Sequence, residues 1–121
     1  MNNENILVPD VLDKMCPSRI LLNHVTSRWG VLILIALQDK TLRFSELRRI
    51  IGDVSERMLS QTLKTLAQDG FIQRTSFDVV PPHVEYSLTP HGQGVTVHVK
   101  ALATWVEENI EAMAETPDSS P

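Results

Sequence analysis

Hydrophobic positions along the chain recur with two different periods, and the change of period separates helices from strands. Ile20, Leu21, Leu22 and Val25 follow Cys16-Pro17-Ser18 at helical spacing, which predicts a first helix with Ser18 as its N-cap. Residues 31–37 are apolar at every position, and Trp29 and Gln38 flank them. That length predicts a central buried helix over about 28–38, capped by Thr26 or Ser27, although periodicity alone fits a buried strand equally. Phe44, Leu47 and Ile51 then fall at i, i+3 and i+7, with Glu46, Arg48 and Arg49 on the other side. Gly52-Asp53-Val54 breaks this helix. Ser55 caps the next, which runs to Asp69 and stops at Gly70. Two short helices around a tight, glycine-containing turn have the pattern of a helix-turn-helix.

After Gly70 the period becomes two. Residues 71–77 mix aromatic, β-branched and polar side chains, and Val84, Tyr86 and Leu88 alternate with Glu85 and Ser87. Between them Pro81 and Pro82 forbid both helix and ladder hydrogen bonds, which predicts a β-hairpin with a stiff tip. A helix-turn-helix followed directly by a hairpin is a winged helix, mainly α with a small β wing. Thr89-Pro90 opens the last helix, because threonine supplies a cap oxygen and proline lacks the N–H that would need a partner. Val95, Val99, Leu102, Val106, Ile110 and Met113 stripe this helix, and Ala103 and Trp105 widen the stripe. That is more apolar surface than one lone domain needs, so the terminal helices are expected to dimerise through Leu102, Trp105, Val106 and Ile110. The expected organisation is an N-terminal arm over 1–15, mobile or with a short helix around 8–15, then one domain over 16–113. A disordered acidic tail over 114–121 ends it.

Composition narrows the class. With 42% hydrophobic and 21% charged residues the chain reads as a soluble globular protein. The start carries no signal-peptide pattern, and the longest apolar run is too short to span a bilayer, so no membrane role is expected. A single cysteine excludes an intramolecular disulfide and fits a reducing cytoplasm. The net charge of −4 argues against nucleic acid until it is divided along the chain. Residues 1–17 carry −2 and residues 106–121 carry −5, whereas 18–105 hold ten Lys and Arg against seven Asp and Glu. The local field governs phosphate attraction, so the acidic ends do not exclude DNA. Catalytic signatures are missing: there is no glycine-rich phosphate loop, no nucleophile elbow and no carboxylate cluster in an obvious cleft, so no enzyme is expected. His91 and His98 lie two helical turns apart, about 10.5 Å, too far to share an ion within one chain. Neither a metal nor any other cofactor is expected.

Several segments together resemble one family. Cys16-Pro17, Thr26-Ser27-Arg28-Trp29 and Arg43-Phe44-Ser45-Glu46-Leu47-Arg48-Arg49 are similar to HxlR-type transcriptional regulators. So are Ser55-Glu56-Arg57-Met58-Leu59, the helix end from Leu66 to Gly70, and the run from Pro81 to Thr89. The resemblance covers about 16–110 in unbroken order. It implies a winged-helix fold related to the multiple-antibiotic-resistance regulators, a homodimer of terminal helices, and operator binding. It also implies that Cys16 senses oxidants or electrophiles, as the corresponding thiol does in several members. Since Cys16 has no second cysteine to pair with in its own chain, a Cys16–Cys16 bridge between subunits, a mixed disulfide or alkylation are the routes left.

Within this frame, the helix after Ser55 packs Leu59, Leu63 and Leu66 inward and turns Arg57, Ser60, Gln61 and Lys64 outward, with Gln68 further along. Arginine suits guanine and glutamine suits adenine in the major groove, so Arg57 and Gln61 are the candidates for base reading and Lys64 for phosphate. Ser55 at the helix start, the flanking Arg43, Arg48 and Arg49, and Arg74 with His83 on the wing complete the expected DNA-binding set. An ordinary solvated helix face is the bland alternative for the outward residues, and plain surface for part of the arginine run. Arg19 and the helix N-terminus are expected to lower the Cys16 pKa and favour its thiolate, while inert packing is the other reading of a lone cysteine. A metal- or small-ligand-responsive regulator and a winged-helix interaction module without DNA stay open as alternatives.

Overall fold

The structure, a computed structural model, describes residues 8–115. Five helices and three strands follow in the order α1 (Pro17–Val25), α2 (Arg28–Ala36), β1 (Leu42–Arg43), α3 (Phe44–Ile51), α4 (Glu56–Gln68), β2 (Ile72–Phe77), β3 (His83–Leu88) and α5 (Pro90–Glu115). The all-apolar segment is a helix, as its length predicts. It ends at Ala36, two residues short of the expected Gln38, because Asp39 takes a left-handed φ of 58° and turns the chain. Ser27 is its cap, accepting from the Gly30 N–H at 3.1 Å. Ile33, Leu34 and Leu37 from this segment meet Leu47 of α3 and Leu59, Leu63 and Leu66 of α4 in one core, all at most 2% exposed.

The sheet differs from expectation. Instead of a lone hairpin it has three antiparallel strands in the order β1-β3-β2, with Leu42 opposite Tyr86 and Arg43 opposite Glu85. β1 is only two residues long, too short to show a period, yet it covers the second edge of β3 and fixes the wing to the start of α3.

Two further corrections concern the N-terminal side. Cys16, not Ser18, is the N-cap of α1: Pro17 has its φ preset for the first helical position, so the helix starts two residues early. Residues 8–10 are irregular and residues 11–15 form consecutive turns rather than a helix. Asp10 and Asp13 cause this, since their carboxylates accept the N–H groups of Leu12 and Met15 at 3.0 and 2.9 Å and compete with helical bonds. The expected tail begins inside α5, which continues to Glu115, and residues 1–7 and 116–121 lie outside the described residues. Among the described residues no helix is long and apolar enough to cross a membrane.

Candidate nucleic-acid interface

α3 and α4 form a helix-turn-helix because their ends are closed by local bonds. The Arg43 N–H donates to Glu46 Oε1 at 2.8 Å at the start of α3, and Gly52 ends it with a φ of 89° that a side chain would strain. Ser55 Oγ accepts the Met58 N–H at 3.1 Å and so caps α4. Arg48 spans the turn: its Nε donates to the Val54 carbonyl at 3.3 Å and its Nη1 to Glu56 Oε1 at 3.1 Å. Arg48 is thus engaged in holding the two helices at their angle, a role its place in the arginine run did not reveal.

The leucine stripe of α4 is fully buried, which forces the opposite face outward. Arg57, Ser60, Gln61, Lys64 and Gln68 are all exposed, and Arg57 and Gln61 lie one turn apart. Arg43 and Arg49 are exposed on β1 and α3. Ser55 combines exposure with its cap bond.

The wing adds one cation to this face. Arg74 of β2 stands opposite Tyr86, and its Nη1 donates to Ser76 Oγ at 3.1 Å. Ser60, Leu63, Lys64, Ala67, Arg74 and Tyr86 line a crevice of about 400 Å³ between α4 and the sheet. Lys64 and Arg74, far apart in sequence, therefore border one site. His83 takes a different place: it opens β3 rather than the tip, stacks on Phe77 at 4.7 Å between ring centroids, and its Nε2 lies 3.1 Å from Glu85 Oε2. The loop beyond it, with Val80 99% exposed, is apolar and carries only Asp78 as charge.

Cys16 lies away from this face, at the start of α1. Its Sγ is 3.0 Å from Ser18 Oγ and accepts the Asp10 N–H at 3.4 Å. The hydrogen bond with Ser18 is the chief reason the thiol pKa is held below its ordinary value, with the Asp10 N–H next; burial and the Asp13 carboxylate oppose it. Arg19 is not among the causes, because its guanidinium turns to the Leu12 carbonyl at 3.5 Å. Leu102, Trp105, Val106 and Ile110 are all exposed along the second half of α5, 43 to 61% each.

Residues 24–114 match the model of the HxlR-like helix-turn-helix family. The chain belongs to that family. It is 59% identical over 105 residues to the HTH-type transcriptional regulator YtfH of Escherichia coli, which covers 87% of this chain and 83% of that protein. The structure of ytfH from Salmonella typhimurium superposes with a TM-score of 0.83 at 58% identity, over 88% of this chain and 96% of that one. The redox regulator HypR in its reduced form superposes with a TM-score of 0.74 at 33% identity, over 81% of this chain and 97% of that one. The fold is a winged helix-turn-helix, and this HxlR-like chain is a transcriptional regulator of the helix-turn-helix type.

Proposed function

We propose that the chain binds operator DNA as a homodimer, with α4 in the major groove and the wing beside the adjoining backbone. The observation that carries this reading is the outward face of α4. Its four polar side chains from Arg57 to Lys64 stand exposed above a fully buried leucine stripe, and Lys64 shares its crevice with Arg74. Arg57 and Gln61 read base edges; Lys64, Arg74, Arg43 and Arg49 hold phosphates. Two copies joined by their terminal helices present two α4 helices to successive major grooves about 34 Å apart, and so bind an inverted repeat. Selecting binding sites from a random DNA pool tests this. An enriched inverted repeat supports the reading, and a pool with no enriched sequence overturns it.

Cys16 makes that binding responsive to oxidants or electrophiles. Support comes from the thiol's hydrogen-bonded seat at the start of α1 and from the likeness to HypR, a redox regulator known in oxidised and reduced forms. Diamide or a quinone should weaken operator binding of the wild type and leave Cys16→Ser unchanged. Equal loss in both, or in neither, removes Cys16 from the response.

A further inference from the structure

The crevice between α4 and the sheet is larger than a phosphate contact requires. Its α4 wall carries Ser60, Lys64 and Ala67 at i, i+4 and i+7, one stripe of the helix. Serine and alanine are short there, and the space they leave against the sheet has a volume of about 400 Å³. Leu63 and the Tyr86 ring, 2% and 9% exposed, give it an apolar lining. The opposite wall is the face of the sheet that otherwise packs on the core. Ile72 and Arg74 alternate onto that face, and Arg74 stands directly opposite Tyr86. Ile72 is buried, whereas Arg74 is exposed and donates to Ser76 Oγ at 3.1 Å.

Neither cation of the crevice is neutralised. Among the described residues Lys64 and Arg74 form no ion pair. Asp69, one turn beyond Lys64 and Gln68 on α4, is taken by His24 at 2.6 Å. Glu85 alternates onto the other face of the sheet and lies 3.1 Å from His83 Nε2. A DNA phosphate uses the two cations and leaves the apolar lining unused, because a duplex backbone is convex and charged. A ligand that matches the whole crevice has an anionic end for Lys64 and Arg74 and a flat apolar body for Leu63, Ala67 and Tyr86. The volume is at the small end of the range for ligand sites, which suits one or two rings.

We infer that this crevice binds a small aromatic carboxylate, which displaces operator DNA by occupying Lys64 and Arg74. The site stands on the crevice itself, and only its regulatory effect rests on the operator reading. Arg57 and Gln61 lie outside the crevice, so the ligand competes with phosphate holding and not with base reading. The exclusion is reciprocal: bound operator weakens the ligand by the same factor.

Isothermal titration calorimetry of the full chain without DNA, with cinnamate as the probe, tests the site. Saturable binding at millimolar cinnamate or below is expected. Cinnamamide, with the ring but no charge, and inorganic phosphate, with charge but no ring, should each bind at least about tenfold more weakly. Lys64→Gln or Arg74→Gln should weaken cinnamate at least about tenfold. Ala67→Leu fills the crevice and removes no proposed DNA contact, so it should abolish cinnamate binding and keep operator affinity, with a melting curve to check its fold. Saturating cinnamate should lower the operator affinity of the wild type at least about tenfold and leave that of Ala67→Leu unchanged. No saturable cinnamate binding, or equal binding by Ala67→Leu, overturns the site and leaves operator binding standing. Cinnamate binding that leaves the operator complex intact overturns the competition. A chain that binds cinnamate in the crevice but selects no DNA sequence overturns the operator reading and keeps the site.

Discussion

His24 Nδ1 lies 2.6 Å from Asp69 Oδ2, which ties the last turn of α1 to the C-cap of α4. The two side chains are 34% and 15% exposed, so solvent screens the contact only in part. His24→Ala should cost on the order of 1 kcal/mol in denaturant unfolding, within the range of a single net hydrogen bond. An unchanged midpoint would show that α1 and α4 are held together by apolar packing alone.

Base reading and phosphate holding make different predictions along α4. Arg57→Ala or Gln61→Ala should cost about 1–3 kcal/mol on the preferred site and relax one base position in each half-site. Lys64→Ala or Arg74→Ala should weaken binding to every sequence and reduce the slope of log affinity against log salt by about one. Fluorescence anisotropy across a salt series separates the two patterns, and identical patterns from Gln61→Ala and Lys64→Ala would contradict the assignment.

The Cys16 thiol titrates below the ordinary range because Ser18 Oγ and the Asp10 N–H stabilise its charged form. Its alkylation by iodoacetamide should therefore persist to lower pH than that of a free cysteine. Removing the Ser18 hydroxyl takes away the main stabilising bond, so Ser18→Ala should move the midpoint upward. A depressed folded-state pKa adds stability that is present above the unfolded value and is lost as pH falls through the folded one. An alkylation profile unchanged by Ser18→Ala would contradict this account.

Two core positions test the packing that aims α4. Leu59 is fully buried, and Leu59→Ala should cost about 2–5 kcal/mol. Gly92 packs so closely on the Phe71 carbonyl that an added methyl has no room unless backbone shifts. Gly92→Ala should lower the melting temperature despite the better helix propensity of alanine. A rise in melting temperature would mean that α5 re-seats freely.

Much of this was legible in the residues, wherever local chemistry decides the outcome. Ser55 and Thr89-Pro90 mark helix starts whose cap bonds form at 3.1 and 3.0 Å, and the α4 leucines point inward as their spacing requires. Less legible were features that depend on distant partners. β1 exists because the β3 edge is there to pair with Leu42 and Arg43, and two residues carry no period. Arg48 reads like its neighbour Arg49 until the turn brings Val54 and Glu56 within reach. Lys64 and Arg74 share a crevice only because the sheet folds back on α4, and no spacing along the chain encodes that. At Cys16 the hydrogen-bonding turn was hidden by Arg19, a charge close in sequence but turned elsewhere in space.

The central claim, that two α4 helices read one operator, is tested most directly by footprinting the wild type and an Arg57→Ala, Gln61→Ala double variant on the selected site. The account predicts two protected half-sites with centres about 10 base pairs apart on one face of the duplex. It also predicts that the double variant loses this pattern while keeping weak, salt-sensitive binding to any DNA. An unchanged footprint from the double variant would contradict it and move the reading surface off α4.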